Sequence, residues 1–173
     1  MNATIATPAK RPLRAAIDDF LAQKCIAVAG VSRSEKTAPA NLIYQKLKAA
    51  GHEVFAINPH ATEIDGEACY PHLAALPHTP DALVIATPPD VALSIVETCA
   101  SLGISRVWMH RSFGQGSVSE AATDFCREHG ITVIAGACPM MYCPPVDFPH
   151  ACMRGILKLT GGLPEMAPAP VKK

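Results

Sequence analysis

The sequence has little charge and no imbalance of it. Lys+Arg and Asp+Glu number 15 each in 173 residues, so the formal net charge is zero and charged residues make up only 17%. Broad nucleic-acid or anionic-membrane binding rests on a basic surface, which a neutral chain lacks; a small local basic pocket stays compatible with it. No run approaches the ~20 apolar residues of a membrane span. Residues 1–8 lack the apolar core of a signal peptide, and Pro8 and Pro12 interrupt that stretch. The cysteines, at 25, 69, 99, 126, 138, 143 and 152, are odd in number and scattered. A disulfide scaffold is therefore not expected. The reading is a cytoplasmic protein with reduced thiols, most of them small core hydrophobes.

What is present fits one globular domain. Apolar residues make up 49%, ordinary for a folded core and too rich for a disordered chain. Short unbroken apolar runs recur at 25–30, 54–57, 82–86, 107–109 and 131–135. Runs without apolar/polar alternation suit strands covered on both faces, as in a parallel sheet. Helical patterns lie between them. The stretch 41–50 carries Ile43, Leu47 and Ala50 and stops at Gly51. The stretch 90–102 carries Leu93, Val96 and Ala100 and stops at Gly103. The stretch 119–129 carries Ala122, Phe125 and Cys126 and stops at Gly130. Further helices are predicted over about 13–22 and 148–160. The alternation of strand and helix predicts right-handed crossovers and a doubly wound α/β sheet. The expected organisation is a flexible segment 1–12, one domain over 13–162 and a flexible tail over 163–173.

In such a sheet, ligands sit outside the carboxyl ends of the strands, where the strand order reverses. Five loops occupy those ends. Gly30-Val31-Ser32-Arg33-Ser34-Glu35-Lys36 offers a tight turn, backbone N–H groups, two hydroxyls and two cations, a composition suited to an anion. It lacks the full G-x-G-x-x-G fingerprint, and an ordinary strand-to-helix turn would look the same. Ile57-Asn58-Pro59-His60 has no Asp or Glu where an NAD site holds the ribose hydroxyl. That absence argues against NAD and leaves room for a nucleotide with an extra ribose phosphate. Thr87-Pro88-Pro89 forces an extended exit, a stiff wall for an aliphatic or adenine group or simply a rigid helix entry. His110-Arg111-Ser112-Phe113-Gly114-Gln115-Gly116 joins a cation to two glycines and could bind a second anion or be a plain loop. The fifth loop runs from Gly136 through Cys138-Pro139 to Cys143.

In order and spacing these segments resemble the CoA-binding domain family, Rossmann-like proteins related to the N-terminal half of the succinyl-CoA synthetase α subunit. The resemblance is carried by Val28-Ala29-Gly30-Val31-Ser32, Ile57-Asn58-Pro59, Gly66 before Tyr70, and Asp81 to Pro89. It continues through Gly103-Ile104 leading to Val107-Trp108-Met109, and Gly130 to Ile134 leading to Cys138-Pro139. It covers about residues 20–145. It implies a parallel sheet of about five strands in the order 3-2-1-4-5, with coenzyme A across the strand ends. By motif position, Gly30, Val31, Ser32 and Arg33 would lie along the CoA phosphates. Asn58 and Pro59 would flank the adenosine end, and Thr87, Pro88 and Pro89 would border the pyrophosphate or pantetheine. His60 stands where the family often carries a basic residue. From the loop compositions, and not from the resemblance, Arg33, Lys36 and Arg111 are expected to build a local positive rim. The synthetase keeps its phosphorylated histidine in a further ligase-like domain, so no synthetase activity is carried over. The resulting expectation is a CoA or acyl-CoA binder with no evident catalytic group, acting as carrier, sensor or regulatory module. Association with another protein or with further copies is left open.

Two alternatives remain at this level. A small enzyme acting on an acyl-CoA or redox substrate would use Cys138, with His110 or His150 as neighbour; an NADP-type binder would use the same strand-end loops. Cys138, Cys143, His150 and Cys152 form C-x4-C-x6-H-x-C. That spacing is not the tight pair of a zinc knuckle, so the segment is read as buried thiols beside a loop, and no metal ligand is assigned. His150 and Arg154, one helical turn apart, are read as a solvated face, and Trp108 and Met109 as core.

Overall fold

Cys25-Ile26-Ala27-Val28-Ala29 has no polar position to turn toward water, and as strand β1 (Cys25–Ala29) it is buried at every residue. This follows from its place at the centre of the sheet, where it pairs in parallel with β2 (Glu53–Ile57) on one side and β5 (Ala82–Ile85) on the other. Alternate side chains enter opposite layers. Ile26 and Val28 join one core with α1 (Leu13–Leu21) and α2 (Pro39–Ala49); Ala27 and Ala29 join another with α3 (Ala92–Leu102) and α4 (Glu120–Glu128). The structure, a computed structural model, describes residues 12–112, 114–164 and 166. The expected flexible ends fall largely outside that range, although Met166 is buried in the α1/α2 core.

The expected doubly wound α/β fold is found, with differences in strand number and order. The sheet has seven strands in the order β3-β4-β2-β1-β5-β6-β7, where β6 is Arg106–Met109 and β7 is Thr132–Ala135. The added strands are β3 (Glu63–Ile64) and β4 (Glu67–Tyr70). They form an antiparallel hairpin about Asp65 and Gly66, both at positive φ, the geometry that an Asp-Gly turn favours. β4 then pairs in parallel with β2. The third position beyond β2 therefore belongs to β4, and the Ala82–Ile85 run instead flanks β1 directly. From β1 the chain builds outward through β2 and β4, then returns to the other side through β5, β6 and β7. The reversal lies between β1 and β5.

Trp108 anchors the far half. Its ring is fully buried, meets Phe20 edge-on at 5.4 Å, and its Nε1 donates to the Gly136 carbonyl at 2.9 Å. The last helix, α5 (Phe148–Thr160), has no fully buried residue. It leans on the core through Met153 and Leu157 and is tied to the preceding turn by Arg154, which donates to the Met141 carbonyl at 2.8 Å. His150 is engaged with Asp147 at 2.7 Å, so neither residue of the expected solvated pair stands free. Cys152 is exposed and the other six cysteines are buried; all are free thiols. Among the described residues, no helix is long and apolar enough to cross a membrane.

Candidate CoA site

Gly30 leaves β1 at φ +101°, and a Cβ placed there would stand 2.7 Å from the Ala86 carbonyl oxygen. Only glycine lets the exits of β1 and β5 approach so closely at the reversal point. The β2 exit is laced to the same place: Gly30 N–H donates to the Ile57 carbonyl at 3.0 Å, and Asn58 Nδ2 donates to the Val31 carbonyl at 2.7 Å. Asn58 Oδ1 in turn accepts from His60 N–H at 2.8 Å. Asn58 is thus a brace between two loops.

A cavity of about 490 Å³ opens beside this junction, within the range usual for small-molecule sites. Gly30, Asn58, Pro59, His60, Thr87 and Pro88 line it, six of the sequence-predicted residues. The remaining wall comes from residues 71–73 and from α3 through Ser94, Ile95 and Thr98. These were missed by sequence reading, because strand-end logic marks loops and says nothing of which helix face closes over them. Val91, at the rim, is 41% exposed, unusual for a large aliphatic side chain and apt for an apolar ligand part. No carboxylate lines the cavity, while His60 and His72 do.

The other expected residues lie elsewhere. Val31 is fully buried in the α1/α2 core, so only its backbone faces the loop. Ser32 has both backbone groups engaged by the side chain of Asn41, at 2.8 Å each, and its hydroxyl accepts from Glu35 N–H at 3.1 Å. The loop amides of Gly30, Ser32 and Glu35 are therefore already used internally. Arg33 and Lys36 are exposed outside the lining, and Lys36 pairs with Asp65 at 3.1 Å. Pro89 opens a short 3-10 turn behind Pro88. Arg111 lies in a separate cavity of about 350 Å³, with Ser112, Gly114, Ala137, Leu157 and Gly162.

Cys138 is not arranged as a nucleophile. It is 2% exposed, and burial pushes its thiol upward, the opposite of what a reactive thiolate needs. His110 is also buried and is pushed down to about 4 by desolvation; its Nε2 meets the Ser112 hydroxyl at 3.0 Å. Cys138, Cys143, His150 and Cys152 do not converge as a ligand set.

Comparison with known proteins agrees with the fold. Residues 24–144 match the model of the CoA binding domain. Over 123 residues the chain is 27% identical to acetate–CoA ligase (ADP-forming) II of Archaeoglobus fulgidus, covering 66% of this chain but 18% of that enzyme. A hypothetical protein from Pyrococcus horikoshii OT3 superposes with a TM-score of 0.69 at 25% identity, covering 81% of this chain and 94% of that one. The dinucleotide forming acetyl-coenzyme A synthetase 1 of Ca. Korarchaeum cryptofilum, solved with phosphate and ADP, gives 0.55 at 26% identity, covering 65% of this chain and 25% of that one. With its model matched across the whole sheet, the chain belongs to the CoA binding domain family.

Proposed function

We propose that residues 13–162 bind coenzyme A or an acyl-CoA at the junction of β1, β2 and β5, and that the unit works without catalysis as a carrier, sensor or regulatory module. The observation that carries this reading is the largely apolar, carboxylate-free cavity at the strand reversal in a chain of this family. Carboxylates near a polyphosphate cost binding energy, and their absence removes that cost. The pantetheine arm would lie against Val91, Ile95 and Leu73, and the charged end would reach toward the 30–37 loop, where Arg33 and Lys36 are exposed. Asn58, Pro59 and His60 would border the adenosine end. A regulatory role would be exerted through another protein or a further copy of the chain. The ligase activity of the A. fulgidus relative is not part of the proposal, since the chain spans 18% of that enzyme.

Calorimetry with CoA, acetyl-CoA, NAD and NADP tests it. Heat with CoA or acetyl-CoA and none with the dinucleotides is expected. NADP binding without CoA binding would overturn the ligand assignment, and turnover of an acyl-CoA would overturn the non-catalytic role. Ser32→Glu puts a carboxylate beside the expected phosphates and is expected to weaken CoA strongly.

A further inference from the structure

The amino ends of the strands carry a second cluster. Parallel register sets Cys25, the first residue of β1, beside Glu53, the first residue of β2. His78, in the connection leading to β5, brings Nε2 within 3.1 Å of Glu53 Oε1. The Cys25 thiol, a Glu53 carboxylate oxygen and a His78 ring nitrogen all lie within 4.8 Å of one another. Among the described residues, this is the one group of three or more Cys, His, Asp or Glu side chains brought so close.

The backbone and the packing around the donors hold them there. The β1–β2 ladder fixes the first two. The connection carrying His78 is tied to β1 twice: Cys25 N–H donates to Asp81 Oδ2 at 3.0 Å, and Asp81 N–H donates to the Cys25 carbonyl at 2.9 Å. The His78 ring packs edge-on against Phe55, with centroids 5.1 Å apart, which sets the plane of the imidazole.

We propose that Cys25, Glu53 and His78 form a binding site for a borderline divalent cation, zinc above all, with water in the fourth position and Asp81 as an outer carboxylate. Thiolate, imidazole and carboxylate are the donors zinc takes, and in a tetrahedron with bonds of ~2.0–2.3 Å neighbouring donors stand roughly 3.3–3.6 Å apart. The 3.1 Å between His78 and Glu53 is close to that spacing already, and the Cys25 sulfur, within 4.8 Å of both, would need to close by only about 1 Å. Burial first, then the Glu53 and Asp81 carboxylates, push the Cys25 thiol up to about 12. Those surroundings disfavour an isolated thiolate and favour one neutralised by a dication. On binding, the sulfur–hydrogen bond is exchanged for a sulfur–metal bond, and the thiol proton leaves to solvent. The length of β1, five residues and thus ~16 Å at about 3.3 Å per residue, separates this cluster from the Gly30 turn. The ion would clamp β1, β2 and the entry to β5, without touching the CoA cavity.

The test uses the full chain stripped of metal, titrated with Zn(II) and, for an optical signal, with Co(II). The expected results are one ion per chain at micromolar protein, a thiolate-to-cobalt charge-transfer band, and a thermal midpoint that rises with free zinc. Cys25→Ser should abolish the band. His78→Asn and Glu53→Gln, at exposed positions where folding is not at risk, should weaken the ion at least about tenfold. Cys152→Ser removes the exposed thiol and should change nothing. The proposal fails if the native chain takes no ion, or if the band survives Cys25→Ser. A parallel CoA titration keeps the two readings apart: loss of one ligand with retention of the other overturns only its own site.

Discussion

At the carboxyl ends of β1, β2 and β5 the chain turns on Gly30, Asn58 and Thr87-Pro88-Pro89 around a cavity lined by no carboxylate. At the amino ends of the same strands, Cys25, Glu53 and Asp81 converge with His78. One end is largely apolar and free of carboxylates; the other gathers a thiol, an imidazole and two carboxylates. One histidine at each end is shifted, and the two shifts are opposite in sense. His110, buried at the carboxyl end of β6, is pushed down by desolvation to about 4, whereas His78, exposed beside Glu53, is pushed up by the hydrogen bond to that carboxylate. A parallel sheet gathers all its exits on one edge, so the two edges can be specialised independently by loops that never meet.

Gly30→Val should have the largest effect, because the left-handed φ and the contact with Ala86 are both penalised. Unfolding free energy should fall by about 2–4 kcal/mol, and the CoA heat should vanish. If the zinc-dependent rise in thermal midpoint survives in that variant, the two edges are separable; if it is lost with the CoA heat, they are not.

His110→Gln sharpens the contrast in pH dependence. The unfolded chain protonates this histidine near 6.5 and the folded one only near about 4, so acidification through that window favours unfolding. Native protein should lose about 2 kcal/mol between pH 7.5 and 5 on this account. Denaturant titrations at both pH values should show a flatter profile for the variant; equal slopes would remove His110 from the account. His78 contributes with the opposite sign. Its pairing with Glu53 is fully present below the ordinary histidine value and is lost as pH rises through the raised one.

Thr98→Glu places a carboxylate in the cavity wall at a half-buried position of α3 and should weaken CoA about tenfold, with zinc affinity unchanged; undiminished calorimetric CoA affinity would move the site elsewhere. The smallest effect is expected from Lys36→Ala. Its pair with Asp65 is exposed, so stability should change by less than about 1 kcal/mol. CoA affinity should drop only a few-fold, and a loss of a hundredfold would mean that the 30–37 loop, not the cavity wall, holds most of the ligand.

Much of this architecture was legible in the residues. The apolar runs at 82–86 and 131–135 read as covered strands because they are covered, and glycines 51, 103 and 130 mark helix ends where the chain takes positive φ. The β3–β4 hairpin escaped notice, although Asp65-Gly66 was its signal, since its strands are short and three of their six residues are exposed. That omission displaced the Ala82–Ile85 strand in the expected order. Gly30, Asn58, Pro59, His60, Thr87 and Pro88, named from strand-end position and family motif, line the same cavity. Ser94, Ile95 and Thr98 were not named, since their role depends on where α3 docks. Arg111 was grouped with the first cavity because it follows a strand, yet β6 opens onto a different one.

The residues alone are enough for the class of fold and for naming the strand-end loops as candidates. Those follow from local quantities: apolar runs, glycine at strand exits, proline where a donor must be absent, and the lack of a carboxylate after the second strand. Only the folded chain shows which of those loops share one cavity, that the amides of Gly30, Ser32 and Glu35 are already bonded, and that Cys138 is buried. It also brought Cys25, Glu53 and His78 together. Their spacing of 28 and 25 residues follows no motif, and strand register and one return connection make them neighbours.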